Sequence, residues 1–194
     1  MQVEPLKFGP QIKAVGVESH LRKVMKILFL DFDGVLNSIQ DSIYFRRMGG
    51  DFGLKLSPLA CSNVQFLLDK EPKLRIVISS TWRVLHPFKE LKQILTDNGI
   101  DGTKVIGVTP IKVYKLLEGQ CRGSQIKSWL DHQSIKSDFY VDRYAIVDDD
   151  SDMLESQREF FVKTSILHGF MFSEALSVAR ILDIKTDIPL SYYF

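Results

Sequence analysis

Long apolar runs are missing from this sequence, and so is a signal peptide. No stretch reaches the roughly 20 consecutive apolar residues that a membrane-spanning helix needs. The N-terminus also lacks the apolar segment typical of a secretory signal. We therefore expect a cytoplasmic protein without a membrane partner.

Cysteine and net charge are also low. The two cysteines, Cys61 and Cys121, have no metal-ligand spacing, so we interpret them as free thiols in a reducing compartment, with a disulfide between them as the alternative. The formal net charge of +1 gives no overall field that would attract nucleic acid, although a local basic patch remains compatible with it. The four histidines are scattered without ligand spacing and are interpreted as ordinary surface or capping residues.

The length and composition are typical of one globular domain. A chain of 194 residues with 45% hydrophobic and 25% charged residues can bury a sizeable core. Residues 1–24 are expected to be an N-terminal extension, either flexible or upstream of a natural start at Met25, with a hairpin as the alternative. Residues 25–194 are expected to form the domain, with no room for a large cap.

The most informative stretch is an apolar run that ends in two acids and a glycine. Residues 26–30 predict a strand buried on both faces, and Asp31, Asp33 and Gly34 follow it. Alternate residues of extended chain point the same way, so one carboxylate could attack an electrophile while its neighbour moves a proton. A metal would be needed to keep the two charges compatible. An ordinary acidic turn is the alternative.

The rest of the chain predicts alternating strands and helices. The segment 39–53 is interpreted as a mobile flap and 111–119 as a loop, and Phe170, Met171 and Phe172 as core residues. Ser57 and Pro58 are typical of a helix start, and Leu59 is expected to face inward. Predicted helices cover 57–68, 87–98, a segment from 122 onward, and 173–182; predicted strands cover 74–78, 104–108, 144–147 and 160–164. Such alternation indicates an α/β fold, a Rossmann-like parallel sheet of about five strands with helices on both faces.

Polar residues follow three of these strands at their carboxyl ends. Asp31 and Asp33 follow the first strand, Ser79 and Ser80 the second, and an acidic run from Asp148 the fourth. Ligands of such sheets bind beyond the carboxyl ends of the strands. The three loops are therefore expected to converge on one crevice.

These motifs, in this order, resemble the haloacid dehalogenase-like (HAD) superfamily of aspartate-nucleophile phosphohydrolases. The likeness spans about residues 25–182, and it is closest to a small subgroup without a large cap near the HAD domains of RNA-repair proteins. It rests on Asp-x-Asp-Gly-Val at 31–35, a serine ending the next strand, a basic residue opening a later helix, and acids at 148 and 152. The resemblance implies the strand order 3-2-1-4-5.

The resemblance also implies a role for each site residue. Asp31 would attack phosphorus and form an aspartyl-phosphate, and Asp33 would first protonate the leaving oxygen and then accept a proton from water. Ser79, with Ser80 as the alternative, would donate a hydrogen bond to the phosphoryl group. Arg122 would offset the phosphate charge, with Lys127 as the competing cation.

Magnesium is the implied cofactor, because oxygen-only ligands suit a hard divalent cation. Its predicted ligands are the Asp31 and Asp148 carboxylates and the Asp33 carbonyl, with Asp152 supporting them. A rival interpretation of the acidic run as a calcium loop fails at Met153, where that loop needs glycine. After the second strand, Trp82 and Arg83 are either substrate contacts or a packed tryptophan with a surface arginine.

We therefore predict a magnesium-dependent phosphatase of phosphate monoesters. The second acid, Asp33, favours phosphate esters over carbon–halogen bonds. The alternatives are a phosphate- or partner-binding module without catalysis, and phosphoryl transfer to an acceptor other than water. The lack of room for a lid favours a large substrate, such as a nucleic-acid end or a phosphoprotein. The oligomeric state is left open.

Overall fold

A parallel β-sheet forms the centre of the protein. The computed structural model describes residues 23–49, 55–111, 121–136 and 138–187. Within these ranges the sheet has five strands in the order β3-β2-β1-β4-β5, and every pairing is parallel. The strands are β1 (Lys23–Leu30), β2 (Leu74–Ile78), β3 (Val105–Val108), β4 (Phe139–Asp148) and β5 (Phe161–Lys163). The α/β class and the order 3-2-1-4-5 are confirmed.

Helices cover both faces of this sheet. They are α1 (Ile39–Arg47), α2 (Pro58–Lys70), α3 (Trp82–Leu85), α4 (Phe88–Asp97), α5 (Arg122–Lys136) and α6 (Phe172–Ile181). Two short 3₁₀ helices, Gly102–Lys104 and Glu155–Phe160, precede β3 and β5. Among the described residues, no helix is long and apolar enough to cross a membrane.

The two faces bury different sets of side chains because successive residues of a strand point to opposite sides. In β1, Leu28 and Leu30 pack with α2, α4 and α6 in the larger cluster. Ile27 and Phe29 pack on the other face with Ile126 and Trp129 of α5. Each fully buried side chain of this size contributes roughly 1.5–3 kcal/mol relative to exposure. Burial on both sides therefore fixes β1 at the centre of the sheet.

Local sequence signals explain where α2 and α4 begin and end. The Ser57 hydroxyl accepts a hydrogen bond from the Ala60 N–H, and Pro58 occupies the first turn of α2. Gly99 follows α4 with a φ of +87°, a left-handed conformation that favours glycine. These two helix ends are confirmed to within a residue or two.

One predicted element and the predicted burial of three residues are wrong. The first part of the predicted flap is helix α1, because Ser38 and Asp41 form a reciprocal capping box: each side chain accepts from the other residue's N–H, at 3.1 Å. Leu59, expected inside, is 51% exposed on α2. Phe170 is fully buried as predicted, whereas Met171 and Phe172 are exposed.

Two strands are longer than the apolar patterns indicate. β1 begins at Lys23 and pairs there with Phe139, so β4 starts five residues before the predicted Tyr144. Lys23 and Val24 therefore belong to the sheet. The rest of the predicted extension, residues 50–53 of the predicted flap and most of the predicted 111–119 loop lie outside the described residues.

Candidate active site

The parallel register brings the acids after β1 and β4 to the same edge of the sheet. Leu30, the last residue of β1, pairs with Ile78 of β2 on one side and with Val147 of β4 on the other. The Asp31 N–H donates to the Val147 carbonyl at 3.1 Å. Asp31 therefore lies beside Asp148, although 117 positions separate them in the sequence.

Three carboxylates cluster at this edge. Asp31, Asp148 and Asp149 each offer an oxygen, and the three oxygens lie within 4.8 Å of one another. Asp31 is 4% exposed and Asp148 is 1% exposed, while Asp149 is half-buried. Two unit charges at this separation repel by roughly 3–4 kcal/mol at an effective dielectric of 20. Such a cluster needs compensating positive charge.

Burial and mutual repulsion change the pKa values of these acids. Burial, followed by the negative charge of Asp31, raises the pKa of Asp148 to about 8, against the attraction of Arg122. Burial also raises the pKa of Asp31, while Arg122 and a hydrogen bond from Ser80 oppose that rise. The pKa of Asp149 is raised as well, mainly by burial.

Arg122 is the cation that meets this cluster. Its Nη2 lies 3.3 Å from Asp31 Oδ2 and its Nε lies 3.2 Å from Asp148 Oδ2, while Nη1 donates to the Ser79 carbonyl. The guanidinium is planar and carries five donors, so it can still offer N–H groups to an anion next to Asp31.

Lys127, predicted as the competing cation, does not contact the acidic cluster. It is exposed on the surface of α5, where its Nζ pairs with Asp131 Oδ2 at 2.7 Å. Lys127 and Asp131 are four residues apart, so they are neighbours on one helix face. Of the two basic residues proposed as the phosphate-binding cation, Arg122 and Lys127, only Arg122 contacts the acids.

The acidic cluster fits a hard divalent cation. Asp148 Oδ2 is fully buried and accepts no hydrogen bond within the described ranges, where its one partner is the charge of Arg122 Nε at 3.2 Å. A buried oxygen left in this way is costly unless something else binds it. All three donors are carboxylate oxygens, the ligand type that magnesium and calcium prefer. The residues present therefore fit a bound cation of this class.

Gly34 allows Asp149 to reach this cluster. Its φ is +67°, and a Cβ at this position would overlap the Asp149 carboxylate. Thr164, directly after β5, fixes the same turn: its Oγ1 donates to the Gly34 carbonyl at 2.8 Å, and its N–H donates to the Asp148 carbonyl at 3.0 Å. The turn after β1 and the end of β4 are thus held together through the hydroxyl and the N–H of Thr164.

Asp152 lies outside the acidic cluster, and its predicted role of supporting the metal ligands stays a prediction. Its Oδ2 accepts from the Arg122 N–H at 2.8 Å, and its carbonyl accepts from the Gly123 N–H at 3.2 Å. A carboxylate at a helix N-terminus satisfies N–H groups that have no partner within the helix. Asp152 therefore supports the start of α5, and through it Arg122. The cluster also omits Asp150 and Asp152, which the calcium-loop interpretation required.

Asp33 is exposed, unlike Asp31, and two side chains hold its carboxylate. Asn37 Nδ2 donates to Asp33 Oδ1 at 2.9 Å. Trp82 Nε1 lies 3.0 Å from both Asp33 oxygens. The predicted role of the Asp33 carbonyl as a metal ligand stays a prediction.

The two serines after β2 differ in what their hydroxyls contact. The Ser80 side chain is hydrogen-bonded to the Asp31 carboxylate and also accepts from the Trp82 N–H at 3.3 Å. Ser79 Oγ instead accepts from Thr109 Oγ1, at 3.4 Å, at the end of β3. The alternative, Ser80, is therefore the serine whose hydroxyl meets Asp31, while Ser79 meets Arg122 through its carbonyl.

Arg83 is half-buried and hydrogen-bonds three other residues, unlike the surface arginine of the alternative prediction. Its guanidinium donates to the carbonyls of Ser80 and Thr109 and to Gln125 Oε1, the last at 2.5 Å. Burial, helped by the nearby positive charge of Arg122, lowers its pKa to about 10. These bonds tie the ends of β2 and β3 to α5 behind the site. The prediction that Arg83 contacts substrate stays untested.

Sequence reasoning missed three residues of this site. Asp149 stands next to Asp148, and the adjacent acids at 148–150 were a signal that could have included it. Thr109 and Thr164 follow β3 and β5 directly, so their position at strand ends was the available signal. The bond from Trp82 to Asp33 had no signal, because 49 positions separate the two residues.

The sheet order, with acids at the ends of β1 and β4 beside an arginine, defines a HAD-like α/β domain. A family profile described as the HAD domain in Swiss Army Knife RNA repair proteins matches residues 27–175. This match covers most of the chain, so the protein belongs to that family, and the predicted resemblance is confirmed. Among curated proteins, no significant match is found.

Two solved structures are similar in fold. Both are of the HAD domain of effector protein Lem4 from Legionella pneumophila, one of them an inactive mutant. The first superposes with a TM-score of 0.52 at 18% identity and covers 83% of this chain and 97% of that chain. The mutant gives 0.52 at 17% identity and covers 89% and 100%. At this identity the likeness shows a common fold.

Proposed function

We propose that this protein is a magnesium-dependent phosphatase that hydrolyses phosphate monoesters through an aspartyl-phosphate. The observation that supports this proposal most directly is the cluster of Asp31, Asp148 and Asp149 against Arg122. Magnesium, bound by these acids, would offset the negative charge of the nucleophile and the phosphate. The family match supports a phosphatase-like hydrolase fold for this chemistry.

The residues divide the reaction into two displacements. An Asp31 oxygen forms a bond to phosphorus while the bond to the ester oxygen breaks, and Asp33 gives its proton to that leaving oxygen. Asp33, now a carboxylate, then takes a proton from a water molecule whose oxygen attacks phosphorus. The bond from phosphorus to Asp31 breaks, which releases phosphate and restores Asp31. Arg122 and Ser80 stay in place to hydrogen-bond the anion.

We further propose that the substrate is large, namely a phosphate at the end of an RNA strand. The family description, which refers to RNA repair proteins, supports this choice. Asp33, the proposed proton donor, is exposed to solvent, which suits a leaving group that extends away from the protein. We also propose that the protein acts in the cytoplasm, because the free thiols of Cys61 and Cys121 agree with a reducing compartment.

The test is hydrolysis of an aryl phosphate with magnesium or with a chelator, in the wild type and in Asp31→Asn. We expect turnover only in the wild type with magnesium, and a phosphorylated Asp31 peptide after acid quench. Asp97→Asn, an exposed acid on α4 bonded to Gln93, is the matched control and should keep wild-type activity. Full activity in Asp31→Asn would refute the nucleophile assignment.

The substrate proposal needs a separate comparison. Phosphate release would be measured from RNA oligonucleotides phosphorylated at the 3′ or 5′ end, from phosphopeptides, and from nucleotides and sugar phosphates. We expect the highest kcat/KM for one of the RNA ends. A higher value for phosphopeptides would replace RNA with phosphoprotein as the substrate class and leave the phosphatase assignment intact.

A further inference from the structure

Trp82 makes a polar contact that its packing alone does not explain. The indole Nε1 lies 3.0 Å from Asp33 Oδ1 and 3.0 Å from Asp33 Oδ2, so one N–H is shared between both oxygens of the carboxylate. Indole N–H is a donor only, and hydrogen bonds to an ionised acceptor are stronger than those between neutral groups. Trp82 therefore bonds the side chain to which the proposed reaction assigns proton transfer.

The indole itself is held rigidly enough to orient a partner. Its ring packs on Phe32, with ring centroids 4.9 Å apart, and on His86, at 5.6 Å. Phe32 is fully buried and stands between Asp31 and Asp33 in the chain. Trp82 also opens α3, where its N–H donates to Ser80 Oγ. The loop after β2 thus presents a fixed donor to an exposed carboxylate of the loop after β1.

We propose that Trp82 is a positioning residue for proton transfer by Asp33. Once one oxygen of Asp33 is protonated, the indole N–H bonds the other oxygen, because the unprotonated oxygen is the better hydrogen-bond acceptor. This leaves the O–H directed away from the indole, free to donate to the leaving oxygen. Asn37, which bonds Oδ1 from the β1 loop, limits rotation of the same carboxylate. This inference rests on the proposed phosphatase function.

The alternative is that Trp82 only fills space between Phe32 and His86. The two roles differ in how they depend on the leaving group. A strongly basic alkoxide needs a proton to leave, whereas a weakly basic nitrophenolate leaves without one. Loss of a positioned acid therefore slows the first displacement selectively for alkyl phosphates, while a packing defect slows that displacement for both substrates alike.

The first experiment compares Trp82→Phe with the wild type on an alkyl phosphate and on p-nitrophenyl phosphate. General acid catalysis contributes about 10²–10⁴-fold, and we expect loss of its positioning to cost roughly 10–100-fold in kcat/KM for the alkyl ester, because kcat/KM reports the first displacement and not the later hydrolysis of the aspartyl-phosphate. For p-nitrophenyl phosphate we expect kcat/KM to change by no more than about threefold. Equal losses on the two substrates, or no loss on either, would overturn the proposal.

Trp129→Phe is the matched control. Trp129 is the other tryptophan of the chain, and it packs edge-on against Phe29 on the opposite face of the sheet from Phe32. Its replacement removes an indole without touching Asp33, so the ratio of the two activities should stay at the wild-type value. A selective loss of alkyl phosphatase activity in this control would also count against the proposal.

A double-mutant cycle connects the effect to Asp33. In an Asp33→Asn background the acid is absent, so Trp82→Phe should then change alkyl phosphate hydrolysis by less than about twofold. A full additional loss in that background would show that Trp82 acts elsewhere. The proposed function is judged separately: if the wild type hydrolyses neither ester, or Asp31→Asn retains activity, the phosphatase assignment fails before Trp82 is considered.

If Trp82→Phe does not fold, as judged by circular dichroism, an isosteric replacement takes its place. In Trp129→Phe protein, Trp82 is the only tryptophan, so biosynthetic incorporation of benzothienylalanine replaces its N–H with sulfur and keeps the ring size. We expect the same selective loss on the alkyl ester. Unchanged selectivity in this protein would refute a role for the N–H.

Discussion

The carboxyl edge of the sheet carries two kinds of acid. Asp31 and Asp148 are buried where β1 and β4 end, whereas Asp33 and Asp149 lie further along the loops and are exposed or half-buried. The buried pair has raised pKa values and contacts Arg122, while Asp33 is bonded by neutral donors from Asn37 and Trp82. Burial and contact with Arg122 thus distinguish the pair Asp31 and Asp148, suited to a cation, from the exposed Asp33, suited to moving a proton.

The largest expected effect is on magnesium affinity, compared between a variant of the buried acid Asp148 and a variant of Asp152, which lies at the start of α5. Asp148→Asn should weaken magnesium binding by at least about 100-fold, because it removes a charged ligand. Loss of a group that only supports a ligand costs about 10–100-fold, so loss of the ligand itself should cost at least as much. Asp152→Asn should weaken it by about 10-fold or less, since Asp152 bonds the Arg122 N–H rather than the cluster. Isothermal titration calorimetry measures both. Equal losses would place Asp152 among the metal ligands.

A smaller effect tests the turn that brings Asp149 to the buried pair. Gly34→Ala and Gly99→Ala both place alanine at a positive φ, which costs roughly 1–2 kcal/mol of unfolding free energy in each case. Only at Gly34 would the new Cβ overlap Asp149, because nothing lies within 4 Å of the corresponding point at Gly99. Gly34→Ala should therefore lose about 1–3 kcal/mol more, as overpacking does, and should also lose magnesium affinity.

Urea denaturation and calorimetry provide the two readouts for this pair of variants. Gly99→Ala controls for backbone strain, and it should bind magnesium like the wild type. If Gly34→Ala matched Gly99→Ala in both readouts, the close approach of Asp149 to Gly34 would have no energetic role in the site.

The smallest expected effect concerns pH. The pKa of Asp148 is raised to about 8 in the folded protein, so the folded state holds a proton that the unfolded state releases near pH 4. Stability of the metal-free protein should accordingly fall as pH rises from about 4 to about 8, with a slope for this one group of at most about 1.4 kcal/mol per pH unit. Asp31, whose pKa is also raised, contributes with the same sign.

Urea denaturation at pH 5.5 and pH 8.5, with a chelator present, checks this sign. Magnesium should reduce or reverse the fall, because it binds the deprotonated carboxylates and does so better at higher pH. Asp148→Asn should reduce the slope as well, since it removes one of the titrating groups. A stability that rises with pH in the metal-free wild type would contradict the buried, repelling pair.

Elements with strong local signals were predictable, and those that depend on partners were not. Ser57 and Pro58 mark the start of α2 because capping is decided by a few adjacent residues. The capping box of Ser38 and Asp41 was an equally local signal, but the aromatic and basic composition of 39–53 obscured it. The first residues of β1 and β4 carry weak patterns, and they are strands because they pair with each other.

The same division applies to the site. The sequence by itself determined that acids follow two buried strands and that parallel strands bring their carboxyl ends to one edge, which was enough to anticipate Asp31, Asp148 and the crevice. Only the tertiary structure shows which of Ser79 and Ser80 bonds the Asp31 carboxylate, which of Arg122 and Lys127 contacts the acids, and which further acid, Asp149, joins the cluster. Each of those choices depends on the direction of one side chain across strands and helices distant in sequence, and local pattern holds no information about that direction.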